Sequence, residues 1–287
     1  MTMDKVGIVT DSIGCIPREM VDRYGIEIVS PNILFDGSVY RDWIDITPTE
    51  AYQLLEKEPE LFTTSAPPPE AFVEAYRKVS KSAASILCIT LSSKVSTVHS
   101  AALAAKEQVE DELADTDIVV LDSQTCTGAE GFVVLAAARA VAEGKGLLEA
   151  VKAAECVMEK VDLVFVLETI RYAYRTGRIP KIASQIGAWL SVKPVITWRG
   201  GLAHFRCMTR SRERGIDMLL EAMHKSVGDK PVHVAVHHAD ALEEGQRLKQ
   251  RVESEFDCVE VWLTEFSPIM GYSTGRGTLG LAFYTED

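Results

Sequence analysis

A chain of 287 residues, 47% hydrophobic and 25% charged, can bury a large core, which excludes a disordered or fibrous protein. It has room for one large domain or two modest ones. The net charge of −12 argues against sequence-independent nucleic-acid binding, and no apolar stretch reaches spanning length, so a soluble, cytoplasmic protein without stable membrane insertion is expected.

The first half alternates β-branched apolar runs with helical patterns. "KVGIVTDS" reads as a strand, followed by a helix begun at Pro17, and "GIEIVSPNILF" as a second extended run. "DGSVYRDW" reads as a polar turn entering a short extended piece. Helices follow at "TPTEAYQLLEK", where Thr47 and Glu50 have capping-box spacing, and at "PPPEAFVEAYRKVSK". Then come strand "SILCITL", helix "STVHSAALAAKEQVEDEL", strand "TDIVVLDS" and helix "GAEGFVVLAAARAVAEG". Such alternation predicts a parallel, doubly wound sheet.

After about residue 160 the pattern changes. Strand "DLVFVLE", a helix in "ETIRYAYRTGRI" ending at Gly177, and a hairpin "KPVITWRGGLAHFRCM" turning at Gly200-Gly201 are followed by helix "RERGIDMLLEAMHKS". Strand "VHVAVHH", helix "DALEEGQRLKQRVESE", strand "CVEVWLT" and strand "TLGLAFY" complete it. A hairpin among α/β units predicts a mixed sheet. The expected organisation is two α/β domains, 1–160 and 161–287, meeting without a flexible linker.

The stretch "GYSTGRGTLG" (Gly271 to Gly280) matches both G-x-S-x-G and G-x-G-x-x-G. A dinucleotide loop must open a helix after a strand, whereas "LAFYTED" follows Gly280 and reads as a strand. A hydrolase elbow turns from strand into helix and is normally followed by its acid and histidine, but no histidine lies beyond Ser273. A glycine-rich turn between strands is the expectation. The six cysteines form no C-x-x-C pair and suit free thiols in a reducing compartment. The six histidines lack metal spacing; His237 and His238 are strand neighbours and point to opposite faces, so no metal is expected.

Small polar residues gather at predicted strand ends: Thr10-Asp11-Ser12, Ser92-Ser93 with Ser96, and Asp122-Ser123, with "TTSAPPP" (Thr63 to Pro69) between two helices. The carboxyl ends of parallel strands share one edge, so these groups should converge. Hydroxyls and backbone N–H groups at helix starts favour an anion such as carboxylate or phosphate, although helix capping explains each residue singly.

These segments, in order, resemble the DegV family. "TTSAPPPEAF" is similar to its T-S-x-P-S segment, "SSKVSTVHSA" to S-S-x-L-S-G-T-Y-x-S-A, and "VLDSQTCTGAEGFVVLAA" to D-S-x-x-x-S-x-G-x-G. "RTGRI", "KPVI" and "PIMGYSTGRGTLGLAF" resemble its G-G-R-I, K-P-(I/L)-(I/L) and V-I-G-x-H-x-G-P-G-x-x-G stretches. The resemblance implies a two-domain α/β protein that buries one long-chain fatty acid, its sole ligand, with no further cofactor. The family includes the fatty-acid-binding subunits of bacterial fatty acid kinase, which present the carboxylate to a separate ATP-dependent kinase subunit. Carried over, Thr64 with Ser65 and Ser96 with Thr97 would meet the carboxylate, Arg178 would lie near it, and Pro67 would start the following helix.

Some positions depart from the family pattern. The histidine of the last loop falls at Ser273 and its proline at Arg276, and both are carried as head-group candidates, Arg276 as a compensating cation. Gly-Thr-Tyr becomes Thr97-Val98-His99, and one glycine of G-G-R-I becomes Thr176. Two alternatives stand beside the lipid-binding reading: an esterase or thioesterase using Ser273 or Cys126, and a regulatory binder of another anion. The chain has no G-x-x-x-x-G-K-[ST] loop and no kinase signature set, so no catalysis is expected from it alone.

Overall fold

The computed structural model describes residues 5–178 and 192–286. In chain order the first part comprises β1 (Val6–Asp11), a 3-10 turn (Ser12–Gly14), α1 (Arg18–Tyr24), β2 (Glu27–Val29), β3 (Asn32–Phe35) and β4 (Ser38–Arg41). It continues with α2 (Pro48–Lys57), β5 (Phe62–Ser65), α3 (Pro69–Ser80), β6 (Ser85–Thr90), α4 (Val98–Gln108), β7 (Asp117–Asp122), α5 (Thr127–Ala142) and α6 (Leu147–Lys160). The second part comprises β8 (Asp162–Val166), α7 (Arg171–Thr176), β9 (Lys193–Arg199), β10 (Leu202–Thr209) and α8 (Arg212–Val227). It ends with β11 (Val232–His238), α9 (Leu242–Glu255), β12 (Cys258–Glu265), α10 (Pro268–Thr274) and β13 (Leu279–Thr285).

The two sheets have the expected characters. The first is fully parallel, in the order β2-β1-β6-β7, and the second is mixed, β10-β9-β8-β13-β11-β12. β1 and β6 are buried almost along their whole length, as parallel strands covered on both faces must be. The predicted cap is present: Thr47 and Glu50 form a complete capping box on α2. The Gly200-Gly201 hairpin turn has φ of 55° and 82°, the left-handed pair that two-residue hairpins require.

α5 is apolar on all sides because it lies between the sheets, packing on β1 and β6 and also on β11 and β13. Its glycines make that wedge possible. A Cβ on Gly128 would fall 2.2 Å from the His237 ring, and one on Gly131 would fall 2.6 Å from the Gly14 carbonyl. One core therefore runs from the parallel sheet through α5 to the near face of the mixed sheet. A second core fills its far face, beneath α8 and α9. His237 and His238 point to opposite faces, as their spacing implies. His237 accepts from Gly128 N at 3.1 Å, and burial depresses its pKa to about 3, so it is a neutral structural group.

Three local expectations are corrected. "GIEIVSPNILF" is not one extended run but β2 and β3, separated at Ser30-Pro31. β2 joins the parallel sheet while β3 pairs antiparallel with β4 and β5 in a third, small sheet. Proline has no N–H to continue the ladder, so the chain leaves one sheet there and enters another. "TTSAPPP" is not all loop: Thr63 to Ser65 belong to β5, and α3 starts at Pro69 rather than Pro67. α6, for which the sequence reading named no element, begins after Gly146, whose N–H donates to Glu149. The expected turn at Gly271 is instead the middle of α10; only Gly275 and Gly277, with φ of 82° and 80°, form the turn into β13.

Candidate functional site

A cavity of about 500 Å³ lies where the loops after β1 and β6, the small sheet, the β9–β10 hairpin and α10 meet. That size falls within the range of pockets that enclose a small organic ligand. Its apolar wall comes largely from the mixed sheet and α10: Phe165, Leu167, Ile196, Trp198 and Met270. Its hydroxyls come mainly from β5 and the β6–α4 loop: Thr64, Ser65, Ser93, Ser96 and Thr97.

The carboxylates at the strand ends hold this site together from behind. Asp11 accepts from Ile13 N and Leu91 N, both at 3.0 Å, which joins two cavity-lining backbone segments. Asp122 accepts from the Ser93 hydroxyl at 2.5 Å and from Ser93 N at 3.2 Å, fixing the β6–α4 loop. The Ser92 hydroxyl donates to the Gly201 carbonyl at 2.8 Å and Lys94 Nζ to the Gly200 carbonyl at 2.7 Å, so that loop is also tied to the hairpin turn. Strand-end convergence is therefore real but divided. Ser93 and Ser96 reach the cavity, while Asp11, Ser12, Asp122 and Ser123 do not line it.

At α4, Thr97 occupies the N-cap position without its side chain capping, and Ser96 Oγ accepts from Val98 N at 3.4 Å. This leaves the Thr97 hydroxyl and the positive end of an eleven-residue helix beside the cavity. α10 is fixed by Ser267, which accepts from Ile269 N at 3.1 Å and donates to the buried Asp42 carboxylate at 2.6 Å. Tyr52 packs over Gly271, where a Cβ would lie 2.3 Å from its ring. Ser273, only 7% exposed, lines the cavity from the last turn of α10.

The cavity's electrostatics are one-sided. Among its described lining residues the only charged groups are Lys94 and Arg178, although the chain has 42 Asp and Glu. Arg178 Nε donates to the Val95 carbonyl at 3.3 Å, which places the guanidinium beside the same loop. Ile179, the last residue of the "RTGRI" segment, lies outside the described residues. The site thus offers hydrogen-bond donors and positive charge next to an apolar volume, suited to one anionic group on a long apolar body.

Thr64, Ser65, Ser96, Thr97, Arg178 and Ser273 all line this cavity. Arg276 does not. Its guanidinium pairs with Glu56 and, at 2.5 Å, with Asp240, and its side chain is 47% exposed. The α10 C-terminus and Gly275 turn it outward, so the expectation of a compensating head-group cation is corrected. Exposed ion pairs contribute little, so Arg276→Ala should change ligand affinity by less than about 1 kcal/mol in a titration. A tenfold loss would put Arg276 back at the ligand.

The hydrolase geometry is also missing at the two candidate nucleophiles. Ser273 sits in the last turn of a helix, not at a strand-to-helix elbow. Cys126 is fully buried, and burial together with the nearby Glu130 pushes its thiol well above the ordinary range. All six cysteines are free, and no cluster of metal-binding side chains exists among the described residues. No described helix is long and apolar enough to cross a membrane. Sequence reasoning missed Ile196, Trp198 and Ala203 as cavity wall. Ile196 and Trp198 alternate along β9, so period-two reading could have found them.

The family model described as "Uncharacterised protein, DegV family" matches residues 5–286. A DegV domain-containing protein of Clostridium perfringens is 31% identical over 98% of this chain and 99% of its own length. A stearic acid-binding protein from Eubacterium ventriosum superposes with a TM-score of 0.90 at 26% identity, over 98% of both chains. A DegV family protein from Thermus thermophilus, described by its fatty acid binding, superposes with a TM-score of 0.89 at 27% identity, over 98% of this chain and 99% of its own. DegV of Bacillus subtilis, described as a fatty acid binding protein, gives 0.88 at 27%, over 98% and 99%. The match of nearly the whole sequence to the family model, together with the clostridial relative, establishes that the chain belongs to the DegV family.

Proposed function

We propose that this protein binds one long-chain fatty acid in the cavity and presents the carboxylate to a separate ATP-dependent kinase for acyl-phosphate formation. The observation that carries the reading is the composition of the cavity wall: hydroxyls and two cations beside an apolar volume, with no carboxylate among the described lining residues. The fatty acid descriptions of the structural relatives support the same ligand class. In this reading Thr64 and Ser96, with Ser65 and Thr97, donate to the carboxylate. Arg178 and Ser273 flank it, and the acyl chain lies against Phe165, Ile196 and Met270.

Each hydroxyl that donates to a charged oxygen should contribute about 1.5–3 kcal/mol. Thr64→Val and Ser96→Ala are therefore expected to weaken fatty acid binding roughly tenfold or more, with unchanged thermal unfolding of the delipidated protein. Unaltered affinity in both would place the head group elsewhere.

The chemistry that acyl-phosphate formation needs supports this division of labour. Phosphorylating a carboxylate needs bound ATP, magnesium and groups that cradle the transferred phosphoryl. The cavity wall supplies donors but no proton acceptor or metal-binding carboxylate among its described residues. With ATP and a partner kinase, acyl phosphate trapped as the hydroxamate should form; with ATP and this protein alone, none should. Equal yield without the kinase would refute the assignment.

A further inference from the structure

We propose that the groove between the β9–β10 hairpin and the C-terminal half of α8 is a second ligand site, one that takes a phosphate-bearing anion. The groove has a volume of about 620 Å³ and lies on the hairpin face opposite the fatty acid cavity. Strand alternation sorts the residues between the two. Ile196 and Trp198 face the cavity, while Thr197 and Arg199 line the groove. Across the hairpin, His204 pairs in register with Thr197 and lines the groove as well. The pairing then shifts between Phe205 and Cys207, and the extra residue, Arg206, is added to the groove wall.

Arg199, Arg206 and Lys225 thus surround one space, with His204 beside them. The only acid among the described lining residues is Asp162, and its carboxylate is engaged by the Ser226 hydroxyl. None of the three cations has an ion-pair partner among the described residues. Four other arginines of the mixed-sheet part pair with carboxylates: Arg212 with Glu244, Arg214 with Glu221, Arg247 with Glu243 and Arg251 with Asp217. Lys225 has a local reason to be where it is, since the last turn of a helix favours a cation. Arg199 and Arg206 stand on strands and have none. In a chain of net charge −12, three cations without an ion-pair partner among the described residues make this groove a locally positive site.

The chemistry selects the ligand class. Two guanidinium forks and an ammonium match the charge and oxygen count of a phosphate dianion better than those of a single carboxylate. The floor is apolar, formed by Val164, Ala222 and Phe283, and accommodates the carbon part attached to the phosphate. Such a group comes from a soluble phosphorylated compound or from the head group of an anionic phospholipid, and both present the same oxygens.

The test uses the full chain, with inorganic pyrophosphate titrated calorimetrically at low salt and cosedimentation with phosphatidic acid or phosphatidylcholine vesicles. Arg199→Gln and Arg206→Gln remove one fork each at exposed positions, and Lys106→Gln on α4 removes a cation away from the groove. Saturable pyrophosphate binding, weakened about tenfold by each arginine substitution and unchanged by Lys106→Gln, identifies a site for soluble phosphates. Cosedimentation with phosphatidic acid vesicles alone, lost in the same two variants, identifies a lipid head group. Absence of both, or equal weakening by all three substitutions, overturns the proposal. Neither arm requires a fatty acid in the cavity, so failure here leaves the first reading standing.

Discussion

Protein purified from bacterial cells is expected to carry close to one fatty acid per chain, detectable by native mass spectrometry and by lipid extraction. A sixteen-carbon acid would bury about fourteen methylenes at roughly 0.8 kcal/mol each, a gross term of about 11 kcal/mol before the costs of immobilisation. Even a large deduction leaves an affinity that survives purification. The same term links to stability, because a ligand that binds only the folded chain stabilises it by about 2.7 kcal/mol at a hundredfold excess over Kd. Delipidated protein should then melt several degrees lower and recover on adding palmitate or stearate. Protein that is clean as purified, takes up no fatty acid and shows no thermal shift would remove the proposed ligand.

The sheet edge beside the cavity was legible in the sequence for a simple reason. β1, β6 and β7 are apolar runs that end in small polar residues, and parallel strands must bring those ends together. Which of the polar residues would face the cavity was not legible. Asp11 ends β1 and Ser93 follows the end of β6, but Asp11 is consumed by two backbone N–H groups, while Ser93 is held by Asp122 at the wall. That difference depends on contacts across 80 and 29 residues of sequence, which no local pattern records.

Short elements were hidden by their composition. β5 offers only Phe-Thr-Thr-Ser before three prolines, with too little alternation to mark a strand, and its pairing with β3 supplies the evidence. α10 carries Gly271, a poor helix residue, yet Ser267 and Pro268 are a cap and a first-turn proline that did announce a helix start. The glycine is there because Tyr52 occupies the space a side chain would need. Tertiary packing overrode propensity. For Arg276 the resemblance to the family's last loop suggested a head-group role, but its position just past the helix end turns it toward Glu56 and Asp240.

Replacing Asp42 by asparagine is expected to flatten the pH dependence of stability and to stabilise the protein at neutral pH. Asp42 is fully buried, and burial raises its pKa from 3.8 to about 6, against the opposing hydrogen bonds from Ser12 and Ser267. A carboxyl whose folded pKa exceeds its unfolded value binds its proton more tightly in the folded state. Its contribution is therefore fully present below about pH 4 and is lost as pH rises through about 6. Two pKa units correspond to at most about 3 kcal/mol. The substituted amide would stay neutral throughout. Its carbonyl can replace Oδ2, which accepts from Ser12 at 2.5 Å and Ser267 at 2.6 Å, and its NH₂ group would take the place of Oδ1, which has no hydrogen-bond partner. Carboxylates with depressed pKa values, such as Asp45 beside Arg41, act in the opposite direction, but they are common to both proteins and cancel in the difference. Urea unfolding of Asp42→Asn and wild type should thus give similar stabilities near pH 4, and by pH 7 the variant should lead by on the order of 1–3 kcal/mol. Because the asparagine side chain retains the bond to the Ser267 cap, α10 keeps its place and fatty acid affinity should stay within about twofold. Parallel stability curves from pH 4 to 7 would mean that Asp42 is ionised at little cost, and that its two hydroxyl donors fully offset its burial.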